Sequence, residues 1–251
     1  MSSRRPFSRV TPTSSAHIPR SHSQHSPYPL PRFSSTHLRP SSTPNPARPV
    51  PSGQALHYLR DHVATDHLVN SHKHQLKGPL GFDIEYPPTF VKGQPQNKTA
   101  LVQLASDSII LLVQVSAMSV FPPSIKAILE DPDVVKVGVG ILADFVKLRA
   151  DFGINPASCL ELGILARAVD PRWEVTQPKG LIGLARLVKT YLDRVMPKPK
   201  RIQLSNWSRP LTEAQQDYAA NDVVTALAVH KKISLMLDDL DEPPSKDTYI
   251  F

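Results

Sequence analysis

The sequence predicts an α/β domain with a mixed central sheet, and three observations carry that expectation. Short β-rich apolar runs crowd residues 80–115, apolar residues at three- and four-residue intervals dominate beyond residue 160, and strand-like and helix-like stretches alternate between. Taken in order, the runs at 80–85, 100–105 and 109–115 are separated by Lys92-Gly93-Gln94-Pro95 and Ser106-Asp107-Ser108, which predicts a three-stranded meander. Pro122 and Pro123 open a short helix that closes before Pro132. A buried strand at 134–139 leads into a helix at 141–152 with Gly153 as its stop, and an extended piece follows at 157–160. Helical periodicity returns at 162–168, 181–192 and 213–237. Thr212 and Gln215 form a capping box for the last helix, placing Tyr218 and Asp222 in its first turns.

Composition divides the 251 residues into three parts. Residues 1–55, rich in Ser, Pro, Arg and His without a single Asp or Glu, are expected to be a disordered arm, because such a stretch buries too little apolar surface to offset chain entropy. Residues 56–237 form the expected domain, and 238–251 read as an acidic flexible tail. The net charge of +7 is equally uneven. Eight arginines and no acid or lysine lie in residues 1–60, leaving 21 bases against 22 acids in the rest. A near-neutral body argues against coating nucleic acid with a basic surface, whereas the arm can add salt-sensitive, non-specific affinity. Cys159 is the only cysteine, which excludes an intrachain disulfide and fits a reducing intracellular compartment. No apolar run approaches the length of a membrane span, and no apolar core follows the basic start as in a signal peptide. The Arg- and Ser-rich start resembles a mitochondrial transit peptide, yet its prolines oppose the helix such a peptide needs; a nuclear location is favoured, with mitochondrial and cytoplasmic alternatives open.

Four carboxylates and a tyrosine stand out as chemistry. Asp83 and Glu85, two apart on a strand, leave on one face while Ile84 points to the other; Tyr218 and Asp222, four apart on a helix, also share a face. Asp144 follows a buried strand in Gly138-Val139-Gly140-Ile141-Leu142-Ala143-Asp144. Each motif has an ordinary reading: a solvent-facing acidic pair, a carboxylate favoured by a helix N-terminus, and a packing tyrosine with a solvated aspartate. Against this, Asp83 and Glu85 interrupt an otherwise central-looking strand, where adjacent carboxylates repel unless a cation neutralises them. Oxygen-only ligands from separate segments suit hard cations such as Mg²⁺ or Mn²⁺. Arg194, Lys198, Lys200 and Arg201 read equally as nucleic-acid backbone contacts or a solvated loop, and Trp207 as a packing residue.

The string Leu204-Ser205-Asn206-Trp207-Ser208-Arg209-Pro210-Leu211-Thr212, running on to Tyr218 and Asp222, resembles the third motif of the DEDDy 3′–5′ exonucleases. Within that family it is most similar to the ribonuclease D-like branch and the exonuclease domain of the Werner syndrome helicase. The first motif matches at 81–85, the second at 138–144, and the resemblance covers about residues 76–237. It implies a ribonuclease H-like fold, a five-stranded mixed sheet flanked by helices, and a two-metal exonuclease releasing nucleoside 5′-monophosphates from a free 3′ end. By the same resemblance Asp83 bridges both ions, Glu85 and Asp222 complete the site of the ion that activates water, Asp144 holds the second, and Tyr218 orients the water. Tyr86 and Leu142 depart from the residues usual in the family, which bears on substrate contacts. DNA is the favoured substrate, a separate helicase a candidate partner, and a catalytically silent nucleic-acid-binding scaffold or an endonuclease of the same fold the rival readings.

Overall fold

The computed structural model describes residues 53–251. A strand at Ala55–Leu59 (β1) and a helix at His62–Ser71 (α1) precede the meander of Leu80–Glu85 (β2), Leu101–Ala105 (β3) and Ile109–Val113 (β4). The helix Pro123–Glu130 (α2) starts at the proline pair, and Lys136–Gly138 (β5), Ile141–Phe152 (α3) and Cys159–Glu161 (β6) follow. Helices Leu162–Val169 (α4), Arg172–Thr176 (α5), Leu184–Leu192 (α6), Lys200–Gln203 (α7) and Glu213–Asp238 (α8) complete the series. The strands form one sheet in the order β1-β4-β3-β2-β5-β6. β2/β3 and β3/β4 are antiparallel; β1/β4, β2/β5 and β5/β6 are parallel, so the sheet is mixed.

The sheet has six strands where five were expected. The extra one, β1, lies within a stretch with no clean polar–apolar alternation, so periodicity does not announce it. Pairing creates it: all five of its residues align with β4 along the sheet edge. Part of the expected arm is therefore ordered from Ala55, while residues 1–52 of that expectation lie outside the described residues.

Strand alternation sorts the core into layers. Leu80, Phe82 and Ile84 of β2, with Val102 and Leu104 of β3, pack with α1, α2 and α3 through Val69, Ile125, Leu129, Phe145 and Leu148. Leu101 and Ala105 of β3 with Ile110 and Leu112 of β4 face the other way, onto Ala219, Ala220 and Val223 of α8. The close approach of α8 depends on Gly81: a Cβ there would lie 2.0 Å from the Val223 carbonyl oxygen.

The end of the chain corrects one expectation. Asp239 to Glu242 are exposed, as an acidic tail would be, but Tyr249 is buried among Leu160, Leu165, Val229 and Ile233. Cys159 and Phe251 exchange two backbone hydrogen bonds of 2.9 Å, and Glu161 N–H donates to the Tyr249 carbonyl at 3.3 Å. The closing Tyr-Ile-Phe thus covers the exposed edge of β6; its apolar burial outweighs the acidity of the preceding residues.

Candidate active site

Asp83 and Glu85 leave β2 on the α8 face, where helical spacing brings Tyr218 and Asp222 down onto them. One oxygen from each of Asp83, Glu85 and Asp222 lies within 4.8 Å of the other two. The long helix is fixed at its start by the predicted capping box, with Thr212 accepting from the Gln215 N–H and Gln215 accepting from the Thr212 N–H.

Asp144 comes from the first turn of α3, beside this triangle but not in it, and electrostatically coupled to Asp83 and Glu85. Its approach depends on a left-handed Gly140, φ 76°, directly before α3. The N-terminal amides there are capped from a distance: the buried Glu161 carboxylate accepts from Gly140 N–H at 2.7 Å and Ile141 N–H at 3.1 Å, and from Gly163 N–H at 3.2 Å. β6 thereby positions the second motif, a role that no local pattern in the sequence signals.

Burial and mutual repulsion make these acids reluctant to ionise. Desolvation, then the charge of Asp222, push Asp83 up to about 7. Desolvation and Asp83 push Glu85 up to about 10, and the same causes take Asp144 to about 8. Burial likewise raises Asp222, against the pull of Lys198, whose Nζ lies 2.7 Å from Asp222 Oδ2. Asp222 Oδ1 is buried with no hydrogen-bond partner, and so are both ends of the amide of Gln103, which stands directly across the ladder from Asp83. Buried oxygens without donors, all carboxylate or amide, fit a hard divalent cation and its water far better than a zinc or copper ion.

Tyr218 is held neutral, its phenol raised well above the usual value by burial and by Asp222. Its hydroxyl accepts from Gln203 Nε2 at 3.1 Å, and Trp207, fully buried, packs 6.0 Å from its ring, as a packing residue should. Of the basic loop, Arg194, Lys200 and Arg201 are exposed and Lys198 alone turns inward. A cavity of about 130 Å³ lined by Asp83, Asp222, Lys198, Val139 and Leu184 opens beside the cluster. A larger one of about 680 Å³, around the turn 106–108 and Leu227 to Leu235 of α8, has a single carboxylate, Asp107, which pairs with Lys231.

Residues 57–238 match the family described as 3′-5′ exonuclease. The chain belongs to that family. The chain is 38% identical over 161 residues to the mouse bifunctional 3′-5′ exonuclease/ATP-dependent helicase WRN, covering 63% of this chain and 11% of that protein. It is 36% identical over 163 residues to an Arabidopsis thaliana 3′-5′ exonuclease, covering 63% of this chain and 54% of that one. The chain thus spans about half or less of these relatives. Among solved structures, Escherichia coli RNase D, an exoribonuclease, shares the fold at a TM-score of 0.60 and 23% identity, over 74% of this chain and 46% of that one. Trypanosoma brucei RNase D in complex with RNA U12 superposes with a TM-score of 0.61 at 21% identity, over 78% of this chain and 64% of that one. The chain thus carries a domain of the 3′-5′ exonuclease family, is similar in sequence to WRN, and shares with RNase D a mixed α/β sheet with flanking helices. Among the described residues, no helix is long and apolar enough to cross a membrane.

Proposed function

We propose that this protein is an exonuclease that removes nucleotides one at a time from a DNA 3′ end with two divalent ions, Mg²⁺ or Mn²⁺, releasing nucleoside 5′-monophosphates. The observation that carries this reading is the convergence of Asp83, Glu85 and Asp222 oxygens within 4.8 Å of one another, on residues from β2 and α8. Asp83, Glu85, Asp222 and Asp144 would hold the ions. Bound divalent ions supply positive charge that eases deprotonation of water and stabilises the leaving 3′ oxygen.

The remaining work belongs to the chain. Tyr218, too weak an acid to serve as a base, offers its hydroxyl as a hydrogen-bond partner that orients the attacking water, and Gln203 fixes that hydroxyl. Burial around the carboxylates strengthens every charge interaction made there. Glu161 holds the turn that delivers Asp144. DNA is favoured because a WRN-type relative shares 38% identity against 23% for the exoribonuclease RNase D. The mouse relative joins exonuclease and helicase in one protein, which supports a separate helicase as a partner.

The test is degradation of matched 5′-labelled DNA and RNA strands, single and duplex, with Mg²⁺, Mn²⁺ or chelator. The expected result is a metal-dependent ladder shortening from the 3′ end, faster on DNA and absent with Asp83→Ala. Faster loss of RNA overturns the substrate choice. No shortening by the unaltered protein with either ion leaves the silent scaffold, and cuts in a circular substrate leave the endonuclease.

A further inference from the structure

Lys198 differs from every other cation of its loop. It lies in Met196-Pro197-Lys198-Pro199, and its ammonium reaches past the surface to Asp222 Oδ2 and stands 5.1 Å from the centroid of the Tyr218 ring. Its side chain is 27% exposed and that of Asp222 3% exposed, so the contact joins solvent to the innermost carboxylate of the site. Among the described residues, no other cation forms an ion pair with Asp83, Glu85, Asp144 or Asp222. One ammonium thus faces four carboxyl groups.

The contact on Oδ2 and an ion at the unpartnered Oδ1 of Asp222 compete through their charges. A Mg²⁺ bound to that carboxylate would sit about 2.1 Å from its oxygen, leaving two cations within a few ångströms in a site with little solvent to screen them. Lysine suits an exchangeable contact: it is a compact charge on a flexible four-carbon stem. The two flanking prolines restrict the backbone at Lys198, so its motion falls to side-chain torsions, and the ammonium stays within a side chain's length of the carboxylates. In that volume the next anion to arrive is the phosphate of the substrate.

Resting on the two-ion reading above, we propose that Lys198 is a working residue with two stations: on Asp222 before divalent ions enter, and, displaced by them, on the phosphate beside the scissile bond. It stands in for a cation in the metal-free site and becomes a substrate contact in the loaded one.

Three variants of the 251-residue chain separate this from a surface ion pair. Mn²⁺ binding is measured by titration calorimetry without nucleic acid, and KM and kcat on a DNA strand at saturating Mn²⁺. Lys198→Met should bind Mn²⁺ about tenfold tighter, the gain expected if the ion-paired state fills about nine-tenths of the metal-free protein. The same variant should raise KM about tenfold with a smaller change in kcat, and Lys198→Arg should recover most of KM by restoring a phosphate donor. Unchanged or weaker Mn²⁺ binding by Lys198→Met overturns the exchange, and an unchanged KM overturns the phosphate station. Asp222→Asn reports on the reading beneath: full activity and full Mn²⁺ binding there would remove the metal site itself, whatever Lys198 does.

Discussion

On one face of β2, Leu80, Phe82 and Ile84 are almost fully buried against aliphatic and aromatic neighbours, with Phe82 edge-on to Phe145 at 5.2 Å. On the other, one residue along in each case, Gly81 meets the backbone of α8, and Asp83 and Glu85 meet Asp222, which Lys198 pairs from outside. The same six residues therefore present an apolar face on one side and an acidic face on the other. The first face gains free energy from burial; the second gives some back, because burying mutually repelling carboxylates costs what apolar residues would not.

That contrast breaks most sharply under paired substitutions on adjacent residues. Phe82→Ala should cost about 3–5 kcal/mol of stability, the usual range for emptying an aromatic site in a core. Asp83→Asn should leave the metal-free protein at least as stable, since it removes one of the repelling charges, while lowering kcat on the order of 10³-fold. Chemical denaturation in chelator and exonuclease rates read the two effects independently. A large stability loss from Asp83→Asn would mean the acidic face supports the fold after all.

Gly81→Ala tests how tightly the two faces are coupled. With Val223 O only 2.0 Å from the added Cβ, either β2 or α8 must move, and overpacking of this kind typically costs about 1–3 kcal/mol. Because α8 carries Asp222, the same shift should lower activity beyond what lost stability explains. Equal activity per folded molecule would show that the approach of α8 can relax without disturbing the carboxylates.

How far the sequence discloses these two faces depends on the range of the interactions. Spacing alone places Asp83 with Glu85 and Tyr218 with Asp222, and a capping box marks the start of α8, because these are properties of a few consecutive residues. What brings Lys198 to Asp222, Gln203 to Tyr218 or Glu161 to the amides of Gly140 and Ile141 is tertiary packing, which no local period encodes. Gln103 was hidden differently: it reads as an ordinary residue in an apolar strand, and becomes notable only once both ends of its amide are found buried beside Asp83. β1 and the docked Tyr249 likewise owe their order to partners far along the chain.

The acidic face should also leave a signature in pH. Asp83, Asp144 and Glu85 titrate near 7, 8 and 10 in the folded chain, above the ordinary carboxylate range of about 4 expected when unfolded. Between those limits the folded state holds more protons than the unfolded one, so stability falls as pH rises. In chelator, Tm should drop from pH 5 to pH 9; Mg²⁺ should reverse the trend, because ions bind ionised carboxylates best. Asp83→Asn should flatten the chelator curve in part. A Tm that rises with pH in chelator would contradict the buried, repelling cluster.

The smallest effect reaches the acidic face through the strand that periodicity does not announce. Tyr58 on β1 donates its hydroxyl proton to Gln114 Oε1 and accepts from the Leu211 N–H at 2.9 Å. Gln114 in turn donates to the carbonyls of Trp207 and Arg209, so one tyrosine ties the edge strand to the segment entering α8. Tyr58→Phe keeps the ring and removes that tie, leaving the Leu211 amide without an acceptor, which should cost about 1–2 kcal/mol. If the edge strand only adds stability, kcat per folded molecule will be unchanged; a two- to threefold fall, about 0.4–0.7 kcal/mol, would mean that β1 helps set where Tyr218 stands. Amide exchange at the start of α8 checks the path directly, since loosening there should accompany any loss of rate and be absent when the rate is kept.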